Sequence, residues 1–435
     1  MPSLASGAVL LPTILAKSAI MPKLHQTPVL FAVAGALLVP TAAYAGHTVG
    51  QDGSWTFGGF GTASAVHSSE KQADYAANPL NPGEAGATRD WSYAVDSRLG
   101  AQLTYHGGHW SAVLQVVAER DLTHSWTPKV EWANVQYQVS PELSLRIGRI
   151  ALPLFLSGDY RKASYALTSV RTPVELYSSL PISNSDGIDA SYRWNFGNVK
   201  NTTQVLFGRT SVPLSDETRV RAHKLAGVSN TSTSGALTVR ATAIRGELET
   251  ALLQDLFSAI RQFGPQGEVL ARRYEPDRKR ATVLSIGASY DPGNWFVMGE
   301  IGRVNARSML GDKTAGYVSS GYRLGSFTPY ATFSKVVANT PNRVAGLDLS
   351  MLPPPYAPAA QRLNMELNGL LGMIAEQDST SLGLRWDATG NAAVKLQFDR
   401  VRPRSGTSGT LSNIQPGYRY GRSFGVFSAS VDFVF

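Results

Sequence analysis

The stretch that decides the fold is Gly425–Phe435, with the sequence GVFSASVDFVF. Phe427, Ala429, Val431 and Phe433 fall on one face at a period of two, and serine and aspartate residues fall on the other. This alternation predicts a β-strand with one apolar face and one polar face. Taken alone, the strand fits either the edge of a soluble sandwich or the wall of a membrane barrel, in which apolar side chains face lipid and polar ones face a lumen.

The same alternation recurs along the chain and predicts sixteen strands. In the segment that starts at Trp110, for example, Ala112, Leu114 and Val116 lie on one side, with glutamine and glutamate opposite. The face opposite the apolar one carries polar residues along every predicted strand, which suits a water-filled lumen and not the core of a sandwich. The predicted strands are 55–66, 91–105, 110–120, 130–139, 143–150, 187–194, 199–209, 235–244, 247–253, 280–290, 295–304, 314–324, 327–336, 380–387, 392–401 and 425–435.

The connections between these strands alternate in length. Those after even strands are short and carry turn residues, whereas most of those after odd strands are long, at 67–90, 151–185, 210–234, 254–279 and 337–379. Short periplasmic turns and long extracellular loops are typical of a transmembrane barrel. The sequence therefore predicts an all-β fold, a transmembrane antiparallel β-barrel of about 16 strands.

Aromatic residues near the strand ends support this prediction. Tryptophan and tyrosine concentrate where a membrane barrel crosses the two interfaces of the bilayer. The set consists of Trp55, Trp91, Tyr105, Trp110, Tyr137, Trp194, Tyr290, Trp295, Trp386 and Phe435.

The first 45 residues have the pattern of a signal peptide. A basic start at Met21-Pro22-Lys23 precedes an apolar run, Val29–Val39, and Ala43-Tyr44-Ala45 supplies a small-residue cleavage site. Either translation starts at Met21, or residues 1–20 form part of a longer leader. The predicted organisation is a signal peptide at 1–45 and a single outer-membrane β-barrel domain at 46–435.

The composition excludes several classes of protein. The chain has 435 residues and no cysteine, which excludes a disulfide scaffold and thiolate metal sites. No apolar run of helix-spanning length occurs after the leader, which excludes a helical membrane protein. The formal net charge of +8 is spread without dense basic runs, so no nucleic-acid partner is predicted.

Two local motifs extend the pattern to a known family. Leu143–Arg149 (LSLRIGR) and Ser381–Asp387 (SLGLRWD), with the sixteen strands, the long third loop and the terminal Phe435, resemble the Gram-negative outer-membrane porins. The resemblance implies a passive diffusion channel for small hydrophilic solutes and ions in the outer membrane, commonly a homotrimer in outer-membrane lipid. It further implies a third loop folded into the lumen, and recognition of Phe435 by the outer-membrane barrel assembly machinery.

The third loop is the predicted pore constriction, since a loop inside a lumen narrows the passage and sets its electric field. In this interpretation three cations face two acids across an eyelet. In the alternative, several of these charges point to solvent above the membrane. The residues are Asp159, Arg161, Lys162, Arg171 and Glu175.

The strands supply further charges to the predicted pore wall. Basic residues outnumber acidic ones among them, and fixed charge in a narrow passage concentrates counter-ions, which predicts a weak preference for anions. Alternatively, the wall charges pair with one another and leave a mildly selective pore. The predicted wall residues are Asp96, Arg98, Glu119, Arg146, Arg193, Arg240, Arg385, Lys395 and Asp399.

The main alternatives are a barrel-borne outer-membrane enzyme and a plugged or substrate-specific channel. The histidines after the leader all fall in predicted turns, loops or strand ends, away from an obvious serine and acid, so no catalytic residue is predicted. His106 and His109 share a turn without further ligands, so neither a metal nor a cofactor is predicted. Helical spacing at Leu252–Phe263, and more weakly at Gln361–Ile374, predicts amphipathic helices within two long loops.

Overall fold

The computed structural model describes residues 53–214 and 218–435, and the predicted signal peptide at 1–45 lies outside them. Sixteen long antiparallel strands form one sheet that closes on itself, and the two-residue strand Trp91–Ser92 joins the same sheet beside the first of them. The strands are β1 Ser54–Ser68, β2 Arg98–Gly107, β3 Trp110–Glu119, β4 Lys129–Gln138, β5 Leu143–Ala151, β6 Asn184–Phe196, β7 Val199–Pro213, β8 Arg219–Ser234, β9 Leu237–Thr250, β10 Arg280–Tyr290, β11 Trp295–Asn305, β12 Asp312–Tyr322, β13 Phe327–Ala338, β14 Gln377–Thr389, β15 Ala392–Pro403 and β16 Phe424–Val434.

The barrel closes between its first and last strands. β1 pairs with β2 along one edge, and with β16 along the other, from Phe60 opposite Val434 to Ser68 opposite Val426. Closure satisfies the backbone hydrogen bonds within the wall, which is what allows strands to cross lipid. The predicted fold class, a transmembrane antiparallel barrel of about 16 strands, is confirmed.

The two ends of the barrel differ in their connections. Turns of two to four residues join β2 to β3 and each following even strand to the next, and we call this the turn end. Longer connections lie at the opposite end, the loop end, and the third loop is the one that follows β5. They cover 69–97, 120–128, 152–183, 214–218, 251–279, 306–311, 339–376 and 404–423.

Side chains alternate between lipid and lumen as the sequence predicts. On β16, Phe427 and Phe433 are exposed on the outer face, while Ser428, Ser430 and Asp432 are buried on the inner face. At the turn end the outer face carries exposed aromatic rings, including Trp55, Trp110, Trp194, Tyr290, Trp295, Trp386 and Phe435. Trp91 is an exception, because it pairs with His67 near the loop end.

One segment differs from the prediction. The stretch predicted as a loop at 210–234 contains β8, and the two strands predicted on either side of Arg245 are one continuous strand, β9. The outer face of β8 is polar near the turn end, so the alternation there gives no apolar signal. Its polar groups are satisfied across strands: the Thr203 hydroxyl donates to the Asn230 side chain at 2.7 Å.

Helices occur within the loops. In the third loop, α1 is Val174–Tyr177; in the fifth, α2 is Gln254–Arg261 and α3 is Gly264–Tyr274; in the seventh, α4 is Ala357–Leu371. The last three share an apolar core, so the two predicted loop helices exist and pack together. None of the helices within 53–214 and 218–435 is long and apolar enough to cross a membrane.

Candidate functional site in the barrel lumen

The third loop enters the barrel and runs along its inner wall. Its first part lies against β9 and β10, where the Thr242 hydroxyl donates to the Pro153 carbonyl at 2.8 Å and the Ser285 hydroxyl donates to the Leu154 carbonyl at 2.7 Å. Apolar loop residues, including Leu154 and Phe155, pack in a buried cluster with inward residues of the strands. The loop is therefore fixed to the wall at its entry, by backbone carbonyls and by an apolar core.

The middle of the loop crosses the lumen and ends in ion pairs on two sides. Asp159 pairs with Arg240 of β9 at 2.9 Å. Lys162 pairs with Glu119 of β3 at 2.7 Å and with Glu131 of β4 at 2.9 Å. Burial disfavours the charge of Lys162, but the two carboxylates outweigh this effect and raise the pKa of its ammonium group. The crossing segment therefore keeps its charges paired with the wall.

The loop then descends along β14 and β15 towards the turn end. The Lys395 ammonium donates to the Ser164 carbonyl at 2.6 Å, and the Arg385 guanidinium donates to the Tyr165 carbonyl at 2.6 Å. The Tyr165 hydroxyl reaches the Gly390 carbonyl in the last turn, at 2.8 Å. Wall cations that would otherwise face water are thus used to hold the loop backbone.

Arg171 anchors the next part of the loop to three separate elements. Its guanidinium lies 2.6 Å from Asp96, which precedes β2, and 2.9 Å from Asp399 on β15, and it donates to the Ser428 hydroxyl of β16 at 2.6 Å. It also lies over the ring of Tyr75 in the first loop. Burial disfavours its charge, but Asp96 and its other acidic neighbours raise the pKa of Arg171 well above its ordinary value. Arg171 is a buried anchor.

Glu175 is a second buried anchor, on the short helix α1. Its carboxylate accepts hydrogen bonds from the hydroxyls of Ser334 and Ser379 and from the side-chain amide of Gln377. No cation contacts it among the described residues, so neutral donors alone compensate for its burial. The helix is therefore held against β13 and β14.

A cavity of about 230 Å³ lies between the loop and the wall that it covers. Its lining includes Ser157, Thr168 and Glu175 of the loop, and inward residues of β10 to β15 such as Ser289 and Thr332. Leu206 of β7 packs in the same buried cluster as the loop, but none of the polar loop contacts described above reaches the inner faces of β6 and β7 near the turn end. There Arg193 and Lys200 are exposed, and neither makes a side-chain hydrogen bond or ion pair with a described residue.

The nine predicted wall residues all lie on the inner side of the barrel. Most of them are paired: Arg146 with Asp189 at 2.6 Å, and Arg98 with Glu119 at 3.9 Å. The structure does not bring the five predicted constriction residues together across one opening. Asp159 and Lys162 contact the wall on opposite sides, Arg171 and Glu175 are buried anchors, and Arg161 donates to the Pro181 carbonyl at 3.1 Å.

The acidic wall residues that were not predicted include Glu131 and Glu300, as well as Asp189 and Asp432. Glu131 follows the parity of the outer face in sequence, but it is the extra residue of a bulge, opposite Gln115 and Val116, and turns inward to Lys162. Glu300 accepts from the backbone amide of Leu156 at 3.1 Å. The alternation of inward and outward residues along β11 indicates that Glu300 faces the lumen. Nothing in the sequence near Glu131 indicates the bulge.

Comparison with known proteins agrees with this geometry. The family described as Gram-negative porin matches residues 32–426. No curated protein sequence matches significantly. Among solved structures, OmpF of Salmonella typhi has a TM-score of 0.53 at 13% identity, covering 88% of this chain and 98% of that one.

Two further solved structures share the fold. The outer membrane channel DcaP of Acinetobacter baumannii has a TM-score of 0.51 at 10% identity, covering 89% of this chain and all of the other. An anion-selective porin from Comamonas acidovorans has a TM-score of 0.50 at 13% identity, with 88% and 100% covered. At these identities the likeness concerns the fold alone. Because the family match spans most of a chain that folds as a closed sixteen-stranded barrel, this chain belongs to the Gram-negative porins, the channels of the outer membrane.

Proposed function

We propose that this porin is a passive diffusion channel for small hydrophilic solutes and ions, with a preference for anions and no enzymatic activity. The observation that carries the preference is an imbalance in pairing within the lumen. Arg161, Arg193 and Lys200 have no acidic partner within ion-pair distance among the described residues.

The inward acids, in contrast, are neutralised or covered. Asp159, Asp189 and Glu119 each pair with a cation. Glu175 and Glu300 have no cationic partner, but both are buried behind the third loop. The uncompensated charge that faces the passage is therefore positive, and a low-dielectric wall focuses its field on passing ions.

The test is a planar-bilayer recording of the purified protein in a potassium chloride gradient. Discrete conductance steps, with a reversal potential on the chloride side of zero, are the expected result. A reversal potential on the potassium side would contradict the anion preference. A closed barrel without conductance steps would contradict the open channel.

A second candidate is a narrow, substrate-specific channel. It is favoured by the extent of the loop anchoring, which reaches from the contact of Pro153 with Thr242 on β9 to the contact of Tyr165 with Gly390 in the last turn. So many contacts leave the loop little freedom to move aside for bulky solutes. Permeation of sugars of increasing size into proteoliposomes distinguishes the candidates: a general pore shows a smooth size limit, and a specific channel passes one class of solute.

We further propose a homotrimer that packs through the outer faces of β16 and β1 to β4. On β1 this face carries small residues, with Gly61, Ala63 and Ala65 in succession at a period of two. Ala63 is exposed on the isolated barrel. The bulky charged variant Ala63→Arg is expected to convert trimers to monomers in detergent, whereas the same change at Ala288, an outward position on β10, is expected to leave them intact.

A further inference from the structure

A single row of inward side chains crosses the wall of the cavity behind the third loop. The strands β10 to β15 contribute one residue each, and each residue lies directly opposite the next on the neighbouring strand. Adjacent strands are about 4.8 Å apart, so the row is a ladder of side chains at that spacing. Most of its members carry a hydroxyl group, and we call it the hydroxyl row: Ser289, Met298, Ser319, Thr332, Ser381 and Asp399.

Several hydroxyl groups in this cavity have no partner among the described residues. Ser289 and Ser381 of the hydroxyl row make no side-chain hydrogen bond, and neither do Thr168 and Thr172, which line the cavity from the loop. The other two hydroxyls of the row bond to each other, at 2.8 Å. Since a hydroxyl both donates and accepts, the wall and the loop each offer free hydrogen-bonding groups to a solute between them.

The charged groups that line the cavity are all compensated. Asp291 and Arg323 form a pair at 2.7 Å, and Asp399 pairs with Arg171 at 2.9 Å. Both carboxylate oxygens of Glu175 accept hydrogen bonds from wall side chains. The cavity therefore offers hydroxyl groups but no free charge, in contrast to the unpaired cations of β6 and β7. A charged solute would lose hydration there without gaining a counter-charge.

The cavity also has the size and the apolar surface that a small sugar needs. Its volume of about 230 Å³ corresponds to several water molecules, each of which occupies about 30 Å³ in the liquid. Tyr160 lines it with a ring that is 40% exposed, and such a ring offers flat apolar surface to the C–H groups of a sugar. Ala166 of the loop and Asp291 at the turn end are exposed lining residues, so solutes in the lumen can enter.

We propose that this cavity binds an uncharged polyhydroxylated solute of about monosaccharide size, between the hydroxyl row and the third loop. The hydroxyls of the solute take the place of water on the unpartnered serine and threonine side chains, so the hydrogen bonds to water are replaced. Anions are attracted instead to the uncovered side of the lumen. The proposal gives the substrate-specific candidate above a class of solute, and it rests on the proposed channel only in requiring a lumen that solutes enter.

The experiment measures binding of D-glucose to the purified barrel by saturation-transfer NMR, in a detergent without a sugar headgroup. Tetraethylene glycol, an uncharged ether of similar mass, tests whether hydroxyl groups are recognised. Glucuronate, which adds a carboxylate to the same ring, tests whether the site prefers an uncharged solute. We expect a saturable signal for glucose, a negligible signal for tetraethylene glycol and weaker binding of glucuronate than of glucose.

The test variant is S289A/S381A, which removes two unpartnered hydroxyls from the cavity. Its matched control is T202V/T233V, which removes two inward hydroxyls from β7 and β8, outside the cavity. The test variant is expected to bind glucose at least about fivefold more weakly, as the loss of two hydrogen bonds predicts, and the control to bind it normally. Heat-modifiable migration on a gel establishes that each barrel is closed. The reversal potential of S289A/S381A is expected to equal that of the wild type, because no charge changes.

Four results would overturn the proposal. Unchanged glucose binding by the closed S289A/S381A barrel would exclude the hydroxyl row, and an equal loss in T202V/T233V would remove the difference between the two sides of the lumen. An equal signal from tetraethylene glycol would show that hydroxyls are not recognised. Tighter binding of glucuronate than of glucose would show that the site takes anions.

Failure of the site and failure of the channel give different results. Conductance steps in a planar bilayer without a saturable glucose signal would contradict the sugar site and leave the channel intact. A saturable glucose signal from a closed barrel without conductance steps would support the site and contradict the channel.

Discussion

The guanidinium of Arg171 lies 2.6 Å from a carboxylate oxygen of Asp96, and the two side chains are only 6% and 1% exposed. This buried pair joins the third loop to the segment just before β2, and Asp399 joins the same cation to β15. A loop that crosses a water-filled lumen has little apolar surface to bury on its open side. Charge-assisted hydrogen bonds to the wall therefore determine where it lies.

Loss of the Arg171 cation should release this part of the loop. Arg171→Met keeps much of the side-chain volume but leaves Asp96 and Asp399 buried without a partner, which costs about 3–5 kcal/mol in comparable buried pairs. We expect a larger and noisier single-channel conductance, and conversion of the folded band on gels at a lower temperature. The control is Arg272→Met, which breaks an exposed pair with Glu268 that contributes little to stability. Conductance like that of the control would contradict the anchor.

Lys162 should control ion selectivity, since it neutralises two acids at once. Lys162→Met removes one positive charge, leaves Glu131 without a cation within ion-pair distance, and leaves Glu119 with only the weaker contact to Arg98 at 3.9 Å. The reversal potential is expected to move towards the potassium value. Lys224→Met, on the outer wall, removes the same charge away from the lumen and should leave the reversal potential unchanged. Equal shifts in both variants would show that the lumen position is irrelevant.

The ion pairs of Lys162 with Glu119 and Glu131 also predict how ion selectivity depends on pH. Because Glu119 and Glu131 raise the pKa of Lys162 above its ordinary value of about 10.4, its ion pairs are complete below that value and are lost only as the pH rises through the higher folded value. The contribution of Lys162 to selectivity, measured as the difference in reversal potential between the wild type and Lys162→Met, should therefore be constant from about pH 7 to about pH 10. A change in reversal potential near neutral pH that is absent from the Lys162→Met protein would contradict the assignment.

Closure of the barrel depends on the absence of a side chain at Gly59. A Cβ atom there would lie 2.3 Å from the ring of Phe435 and 2.5 Å from the carbonyl oxygen of Gly100. Gly59→Ala should therefore lower the temperature at which the folded band converts, by forcing β1 away from a neighbour. A Cβ atom at Gly390 would have no other atom within 4 Å, so Gly390→Ala is the matched control. Indistinguishable melting of the two proteins would contradict the close approach.

Phe435 is proposed to be recognised during assembly. Its backbone already pairs with Gly59 in both directions, and its ring lies outside, near Phe57. Phe435→Ser should lower the amount of barrel in the outer membrane while secretion across the inner membrane continues. Phe427→Ser removes another exposed ring from the same strand, so an equal defect in both would indicate loss of lipid contact and not of recognition.

The sequence predicts most of the wall because a barrel strand has a period of two. The inward positions of Arg146, Arg193 and Lys395 follow from alternation alone. Alternation fails at Glu131, where a bulge reverses the parity, and over β8, whose outward Asn230, Ser232 and Ser234 resemble a loop. In both places the neighbouring strands, and not the local residues, decide the conformation.

The third loop was predictable as a feature of the lumen, but its contacts were not. Nothing near Arg171 in sequence indicates that its partners are Asp96, Asp399 and Ser428, which are 75 to 257 residues away. Pairing of this kind depends on barrel closure, which brings β2, β15 and β16 together. The sequence therefore identifies the loop that enters the lumen. It predicts that Arg171 and Glu175 face an open passage, whereas both are buried anchors.

The most direct test of the account compares reversal potentials in a potassium chloride gradient for the wild-type channel and for Arg193→Gln/Lys200→Gln. These two cations face the uncovered part of the lumen without a partner, and they carry the proposed anion preference. We expect a chloride-selective wild type, and a variant whose reversal potential lies closer to zero while the contacts of the third loop are unchanged. A wild type that prefers potassium, or a variant with the wild-type reversal potential, would contradict it.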